Sequence, residues 1–309
     1  MEKKTITIGL PRAMLYYRCH TLWRAFFQEL GVDTLVSDPT DRDILERGTA
    51  LAIDEACLSL KIYLGHVAAL VGRCDYILVP RVSNFGFHRS LCTRFEAMPD
   101  LVRNTFRNSG QQFLSYEVDG LLKKDEESGF IEMGKTLGFP AKAARGAYRR
   151  GKKAEQAQHK ARVQRYEQQY KKEGMKVLIA AHSYVAEDPY MGRAVADYLK
   201  RVGVTPLRAD IVNREAALKR SRELSPTCKW EISREILGGI AMHQGEVDGI
   251  ILLSAFPCGP DAMVNELIAR RVKGVPMLNL VLDSQSGTAG VETRLESFID
   301  IIRFKEGKL

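Results

Sequence analysis

The sequence predicts an α/β protein built from two doubly wound, Rossmann-like parallel-sheet domains, with a cleft between them and a long basic connecting helix. Three observations predict it. The 309 residues exceed the common single-domain size of about 100 to 150, so two cores are expected. Near-continuous apolar strands alternate with amphipathic helical stretches, as parallel sheets covered on both faces require. A basic segment interrupts that alternation: residues 141–172 hold eleven Lys or Arg against two Glu. The chain therefore divides into an N-terminal α/β domain over 1–140, a basic helical connector over 141–174 and a C-terminal α/β domain over 175–309.

In the first domain, strands are expected at "TITIGL", "DTLVS", "YILVPRV" and "QFLSYEV". Between them, "AMLYYRCHTLWRAFFQEL" and "LSLKIYLGHVAALVG" have helical periodicity. The second domain repeats the scheme with "KVLIAA", "GIILLSAF" and "MLNLVL". The halves also rhyme. "RAFFQELGVDTLVSDPTDRDIL" parallels "RAVADYLKRVGVTPLRADIVNREAAL", each giving a helix, a Gly stop, a Val-led strand and an acidic turn into another helix. "CDYILVPRV…LCTRFEAMPDLVRN" parallels "VDGIILLSAFPCGPDAMVN", each giving an Asp, a buried strand, a cysteine and a Pro-Asp helix, so Cys92 and Cys258 occupy comparable places.

The net charge of +8 resides in the connector: outside residues 141–172 the chain has 35 basic and 36 acidic residues. This helix is expected to be solvated or to lie on another subunit, with few apolar anchors. Its aromatic interleaving is too thin for a single-strand stacking platform, so nucleic acid is not expected as a partner. No apolar run is long enough for a membrane span, and the first residues lack an apolar signal core, so a cytoplasmic protein without a membrane partner is expected.

Six cysteines (Cys19, Cys57, Cys74, Cys92, Cys228, Cys258) in such a chain read as reduced thiols or metal ligands rather than a disulfide framework. Cys258 is placed at a helix N-terminus, between the strand "GIILLSAF" and "GPDAMVNELIARR". There, unpaired N–H groups and the helix dipole favour a thiolate or an anionic cluster. Gly259 permits a tight turn and Pro260 suits the first helical turn. Cys57 sits at a loop-to-helix entry, and Cys92 precedes its helix by a few residues. Cys19, Cys74 and Cys228 read as packed or exposed thiols. Without a C-x-x-C pair, three readings of Cys258 stay open: core filler, a nucleophile paired with His182 or His66, or one ligand of a metal site.

"IGLPRAMLYYRCHTLWRAFFQELGV", "ERGTALAIDEACLSLKIYLGHV", "DYILVPRV", "HSYVAEDPYMG", "SAFPCGPDAMVNELI" and "TRLESFIDI" resemble the acyl-CoA dehydratase activase-related family. Its kin are the 2-hydroxyacyl-CoA dehydratase and benzoyl-CoA reductase subunits of anaerobic bacteria. The resemblance runs from about residue 5 to about 303. It implies an iron-sulfur protein for low-potential one-electron transfer or reductive chemistry, with the cluster held by three cysteines in the interdomain cleft. Cys57, Cys92 and Cys258 match the family's cysteine positions. Three thiolates on a 4Fe-4S cubane leave one iron open, as a site for water, a substrate carbonyl or a bridging sulfide. It also implies an actin-like ATPase activator and electron donor in a separate chain, an acyl-CoA-like substrate and a homo- or hetero-oligomer.

This chain shows no recognisable actin-like phosphate motif, so an ATPase would have to be another chain. Ser284 and Gln285, in "LDSQSGTAG", stand where related chains commonly have an acid and a histidine, so no proton-transfer role is assigned to that turn. His182, Arg12, Arg81, Gly259 and Asp261 are the candidates for supporting the cysteines from around them. His182 ends "KVLIAAH" and could donate to a sulfur; Arg12 and Arg81 stand at strand ends and could hold an anion or form salt bridges. Asp261 is read first as a helix cap. Asp283 and Arg294 flank the last loop and helix. The alternatives are a cluster-free binding or scaffold subunit of a dehydratase-type complex, and an acyl or small-ligand binding protein.

Overall fold

The computed structural model describes residues 6–285 and 288–305. The chain forms two compact units: Met1–Asp54 with Leu60–Gln158, and Glu55–Ser59 with His159–Leu309.

The first unit is built from β1 (Thr7–Leu10), α1 (Tyr16–Glu29), β2 (Asp33–Val36), α2 (Arg42–Leu51), all but the first two residues of α3 (Leu58–Leu70), β3 (Tyr76–Leu78), β4 (Arg81–Asn84), α4 (Thr93–Thr105), β5 (Gln112–Leu114), β6 (Glu117–Asp119), α5 (Glu126–Thr136) and the first part of α6 (Ala141–Tyr170). Its main sheet has the order β2-β1-β3-β5 and is parallel throughout. The second unit continues with β7 (Lys176–Ala180), α7 (Ser183–Ala186), α8 (Gly192–Arg201), β8 (Thr205–Arg208), α9 (Arg214–Leu224), α10 (Glu231–His243), β9 (Gly249–Ala255), α11 (Gly259–Arg271), β10 (Met277–Leu282) and α12 (Thr288–Lys305). Its sheet, β10-β9-β7-β8, is also parallel. Counting only the strands of each sheet in chain order, both sheets run 2-1-3-4. The doubly wound class expected from strand-helix alternation is present in both.

The rhyme in the sequence corresponds to shared construction. Gly31 and Gly203 adopt left-handed φ of 68° and 79° and end the helix before the second strand of each sheet, a conformation that costs glycine little. Asp41 caps α2 by accepting from Ile44 N–H at 2.9 Å, and Asn213 caps α9 by accepting from Ala216 N–H at 3.0 Å. Asp75 accepts the Thr7 N–H at 2.9 Å, and Asp248 accepts the Lys176 N–H at 2.7 Å, so an aspartate ties the first and third strands in each sheet.

Two expected strands divide. "YILVPRV" becomes β3 and β4, and "QFLSYEV" becomes β5 and β6; β4 and β6 form a separate two-stranded parallel sheet. Pro80, which has no N–H for a ladder, stands at the first break.

The basic helix α6 is less solvated than expected. In the first unit it packs through small residues at helical spacing: Ala144 and Ala147 are fully buried, and a Cβ on Gly151 would lie 3.0 Å from Leu22. Much of its charge meets local carboxylates. Arg145 and Arg149 pair with Glu127, Arg150 with Glu29, and Lys152 with Glu126 and the buried Glu155. Ala144, Ala147 and Gly151 are too small to register in a hydropathy pattern, and the larger buried anchors of the helix, Tyr148 and Tyr170, are few. Among the described residues, no helix is long and apolar enough to cross a membrane.

Candidate functional site

All seven residues of β9 are buried, and so are the last four of β7. Such central strands deliver whatever follows them to the carboxyl edge of the sheet. The chain leaves β7 for β8 on one side, and β9 lies on the other, so β7 and β9 flank the topological switch point where open α/β sheets bind ligands. His182 follows β7, and Cys258 follows β9.

Cys258 is the N-cap of α11, with extended φ and ψ of −90° and 107°. The preceding Phe256–Pro257 peptide is cis. The Leu58 N–H, at the start of α3, donates to the Phe256 carbonyl at 2.8 Å. This bond brings the Cys57 segment, Glu55–Ser59, into the second unit, and the electrostatic influence of Cys57 reaches the Cys258 thiol. Cys57 and Cys258 thus each stand immediately before a helix, within one unit.

Cys92 lies nearer its helix than expected: it is the N-cap of α4 itself, with φ and ψ of −62° and 140°. It belongs to the first unit. None of the six cysteines is in a disulfide. Among the described residues, no group of three or more His, Cys, Asp or Glu is arranged to hold a metal ion.

The expected thiolate at Cys258 is not what the protein provides. Burial pushes the thiol well up, the Asp261 carboxylate pushes it further, and Cys57 adds to the effect; the Asp261 backbone N–H opposes them. Desolvation outweighs the helix N-terminus here, because a buried anion loses more hydration than one turn of aligned amides returns.

Asp261, in the first turn of α11, is only 7% exposed, and its Oδ2 is buried without a hydrogen-bond partner. Its Oδ1 lies 3.4 Å from His182 Nε2 rather than capping the helix. His182, 5% exposed, is itself the N-cap of α7. Its Nε2 lies 3.3 Å from Ser233 Oγ, and its Nδ1 lies 2.6 Å from Tyr184 OH. A buried Tyr184–His182–Asp261 chain therefore reaches the Cys258 turn. Ser233 and Tyr184 were missed in the sequence; each is an ordinary helix residue until the fold places it.

The remaining candidates separate. A Cβ on Gly259 would meet no atom within 4 Å, and its φ is not positive, so the turn does not require glycine there. One guanidinium nitrogen of Arg81 donates to both carboxylate oxygens of Asp100 at 2.8 Å and another donates to the Glu96 carbonyl at 2.8 Å, which ties β4 to α4. Arg12 follows β1; its backbone N–H donates to Ser37 Oγ at 2.9 Å, and its Nε is buried without a hydrogen-bond partner. Nearby, His66 is fully buried between Ser37 Oγ and Thr40 Oγ1, at 2.9 Å from each. Burial, with the Arg12 charge adding to it, pulls its pKa down to about 3.

Asp283 accepts the Gln285 N–H at 2.8 Å, and Arg294 donates to the Asn279 carbonyl at 2.6 Å. Ser286 and Gly287, in the "LDSQSGTAG" stretch, lie outside the described residues. Cys19 is buried in α1, and burial raises its thiol; Cys74 and Cys228 are also raised by burial, and their Sγ atoms face the Leu70 and Trp230 carbonyls. These three are packing thiols.

No curated protein matches the chain. The crystal structure of ZnuA aligns over 97% of this chain and 99% of its own, at 10% identity and a TM-score of 0.27. A likeness that low supports no conclusion. A family model described as "CoA enzyme activase uncharacterised domain" matches residues 7–212, which include Cys57 and Cys92 and end before Cys258. Because that match spans more than half of the sequence, the chain belongs to the CoA enzyme activase-related family.

Proposed function

We propose that this protein is an iron-sulfur component working in low-potential one-electron transfer or reductive chemistry with a CoA-thioester-transforming enzyme, and that Cys57 and Cys258 are two of its cluster ligands. The observation that supports this reading is the Leu58–Phe256 backbone bond, which joins the two cysteine-bearing helix starts at a sheet switch point. The donor chemistry fits: thiolate sulfur is the usual iron-sulfur ligand, and the unspent N–H groups at helix starts favour an anionic group. Both thiols must lose their protons on loading, so binding releases protons and weakens at low pH. The Asp261–His182 pair orients the turn that holds Cys258.

Two sulfurs do not complete a cubane. The third ligand proposed is Cys92, which rests on the family resemblance alone. A bound cluster would supply a one-electron carrier; an actin-like ATPase in a separate chain is the proposed electron donor, and an acyl-CoA-like compound the proposed substrate class.

The test is oxygen-free purification followed by iron and sulfide analysis. The expected result is a brown protein with about four iron and four sulfide per chain, both lost in Cys57→Ser and Cys258→Ser. Loss in Cys92→Ser identifies the third ligand. A second reading, a cluster-free binding or scaffold subunit, is favoured by the lack of a three-donor group among the described residues. A colourless, folded protein that does not take up iron and sulfide would establish that reading and overturn the first.

A further inference from the structure

A second candidate site lies in the second unit, on the outer edge of β8. A groove of about 620 Å³ runs along this strand, walled by the last turns of α6 on one side and by α8 on the other. Its volume falls within the range of small-molecule sites. Five cationic side chains line it: Arg162, Lys172, Arg193, Lys200 and Arg208.

Their charge is only partly neutralised. Arg208, 7% exposed, is held bidentately by Asp210 at 2.6 and 2.7 Å and also contacts Glu187 at 3.3 Å. Arg162 pairs with Glu187 at 2.7 Å, and Lys200 with Asp197 at 2.9 Å. Arg193 and Lys172 have no carboxylate partner among the described residues. Five cations against three carboxylates leave a surplus of two positive charges on one concave surface. Buried Arg208 keeps this arrangement fixed, while Arg193 and Lys172 remain able to turn toward a ligand.

An edge strand could instead accept a peptide as an added strand, but β8 is poorly made for it. Thr205 and Ala209 N–H groups donate inward, to the Met175 and Ile179 carbonyls. Pro206 and Arg208 therefore face outward, and Pro206 has no N–H to offer. Proline at an outward position blunts an edge against strand addition. What the groove offers is charge and guanidinium donors, which suit the fixed geometry of phosphate oxygens.

We propose that this groove binds a dianionic, phosphate-bearing small molecule, held by Arg193 and Lys172 beside the fixed Arg208–Asp210–Glu187 cluster. The site is separate from the cysteine pair and does not depend on a cluster being bound.

Calorimetric titration of the full chain with inorganic pyrophosphate and with adenosine diphosphate, at low ionic strength, tests it. The expected result is saturable one-to-one binding of at least one probe, weakened ~10-fold or more in Arg193→Ala/Lys172→Ala through loss of two charge-assisted contacts. Higher salt should weaken it as well. Circular dichroism checks that the double variant is folded, and Arg193→Lys/Lys172→Arg should restore binding in part. Absence of binding by both probes at millimolar concentration overturns the proposal. So does binding indifferent to the double substitution, or displacement of the probe by polyglutamate at equal charge, which would make the groove an acidic-peptide surface.

Discussion

The Leu58 N–H donates to the Phe256 carbonyl at 2.8 Å, so the residue after Cys57 is bonded to the residue two before Cys258. Leu58 is also the first residue of α3, a position where proline fits without disturbing the helix. Leu58→Pro therefore removes this donor while sparing the helix. It should cost about 1–3 kcal/mol for the orphaned carbonyl, beyond the side-chain loss that Leu58→Ala measures. If the cysteine pair holds iron, Leu58→Pro should also lower iron content more than Leu58→Ala does; equal iron in both variants would detach that bond from the site.

Asp261 raises the Cys258 thiol, second only to burial. Asp261→Asn removes the carboxylate charge, so the thiol pKa should fall and its thiolate fraction at a given pH should rise. Each unit of fall multiplies the alkylation rate ~10-fold below the pKa. Iodoacetamide labelling at pH 8, read by mass spectrometry at Cys258, is the measurement. A rate at or below that of the unsubstituted protein contradicts the assignment.

His66 links stability to pH. Its folded-state pKa of about 3 lies below the ordinary 6.5, so folding holds it neutral while the unfolded chain accepts a proton. Its stabilising effect is complete above the ordinary value and declines as pH falls from there toward the folded value, by about 1.4 kcal/mol per pH unit. Urea midpoints should show about 2 kcal/mol lost between pH 7 and pH 5 that is absent in His66→Asn. The same slope in both proteins would assign the acid sensitivity elsewhere.

Two glycines should behave oppositely. A Cβ on Gly239 would lie 1.9 Å from the Ala209 carbonyl oxygen, whereas one on Gly259 meets open space. Gly239→Ala should cost about 3 kcal/mol or more, and Gly259→Ala should change stability by less than about 0.5 kcal/mol. Thermal unfolding of both variants checks the pair.

What could be seen in the sequence was local or repeated. Apolar runs marked β7, β9 and β10, and the rhyme placed an Asp before a buried strand and a cysteine ahead of a helix in each half, but it gave the aspartates no role and set Cys92 a few residues short of its helix. The small-residue face of α6 escaped, because Ala144, Ala147 and Gly151 pack by being small rather than apolar. The Tyr184–His182–Asp261 chain escaped for another reason: no local period records which distant side chains meet when β7 and β9 become neighbours. The raised Cys258 thiol was invisible too, since burial at a helix start depends on the whole unit.

The membership of Glu55–Ser59 in the second unit bears on how the polypeptide matures. The C-terminal lobe is discontinuous along the chain: a fragment starting at residue 159 would lack Cys57 and the donor to Phe256. During synthesis, that short stretch leaves the ribosome long before β9 exists to receive it, so the cysteine pair is among the last features to assemble.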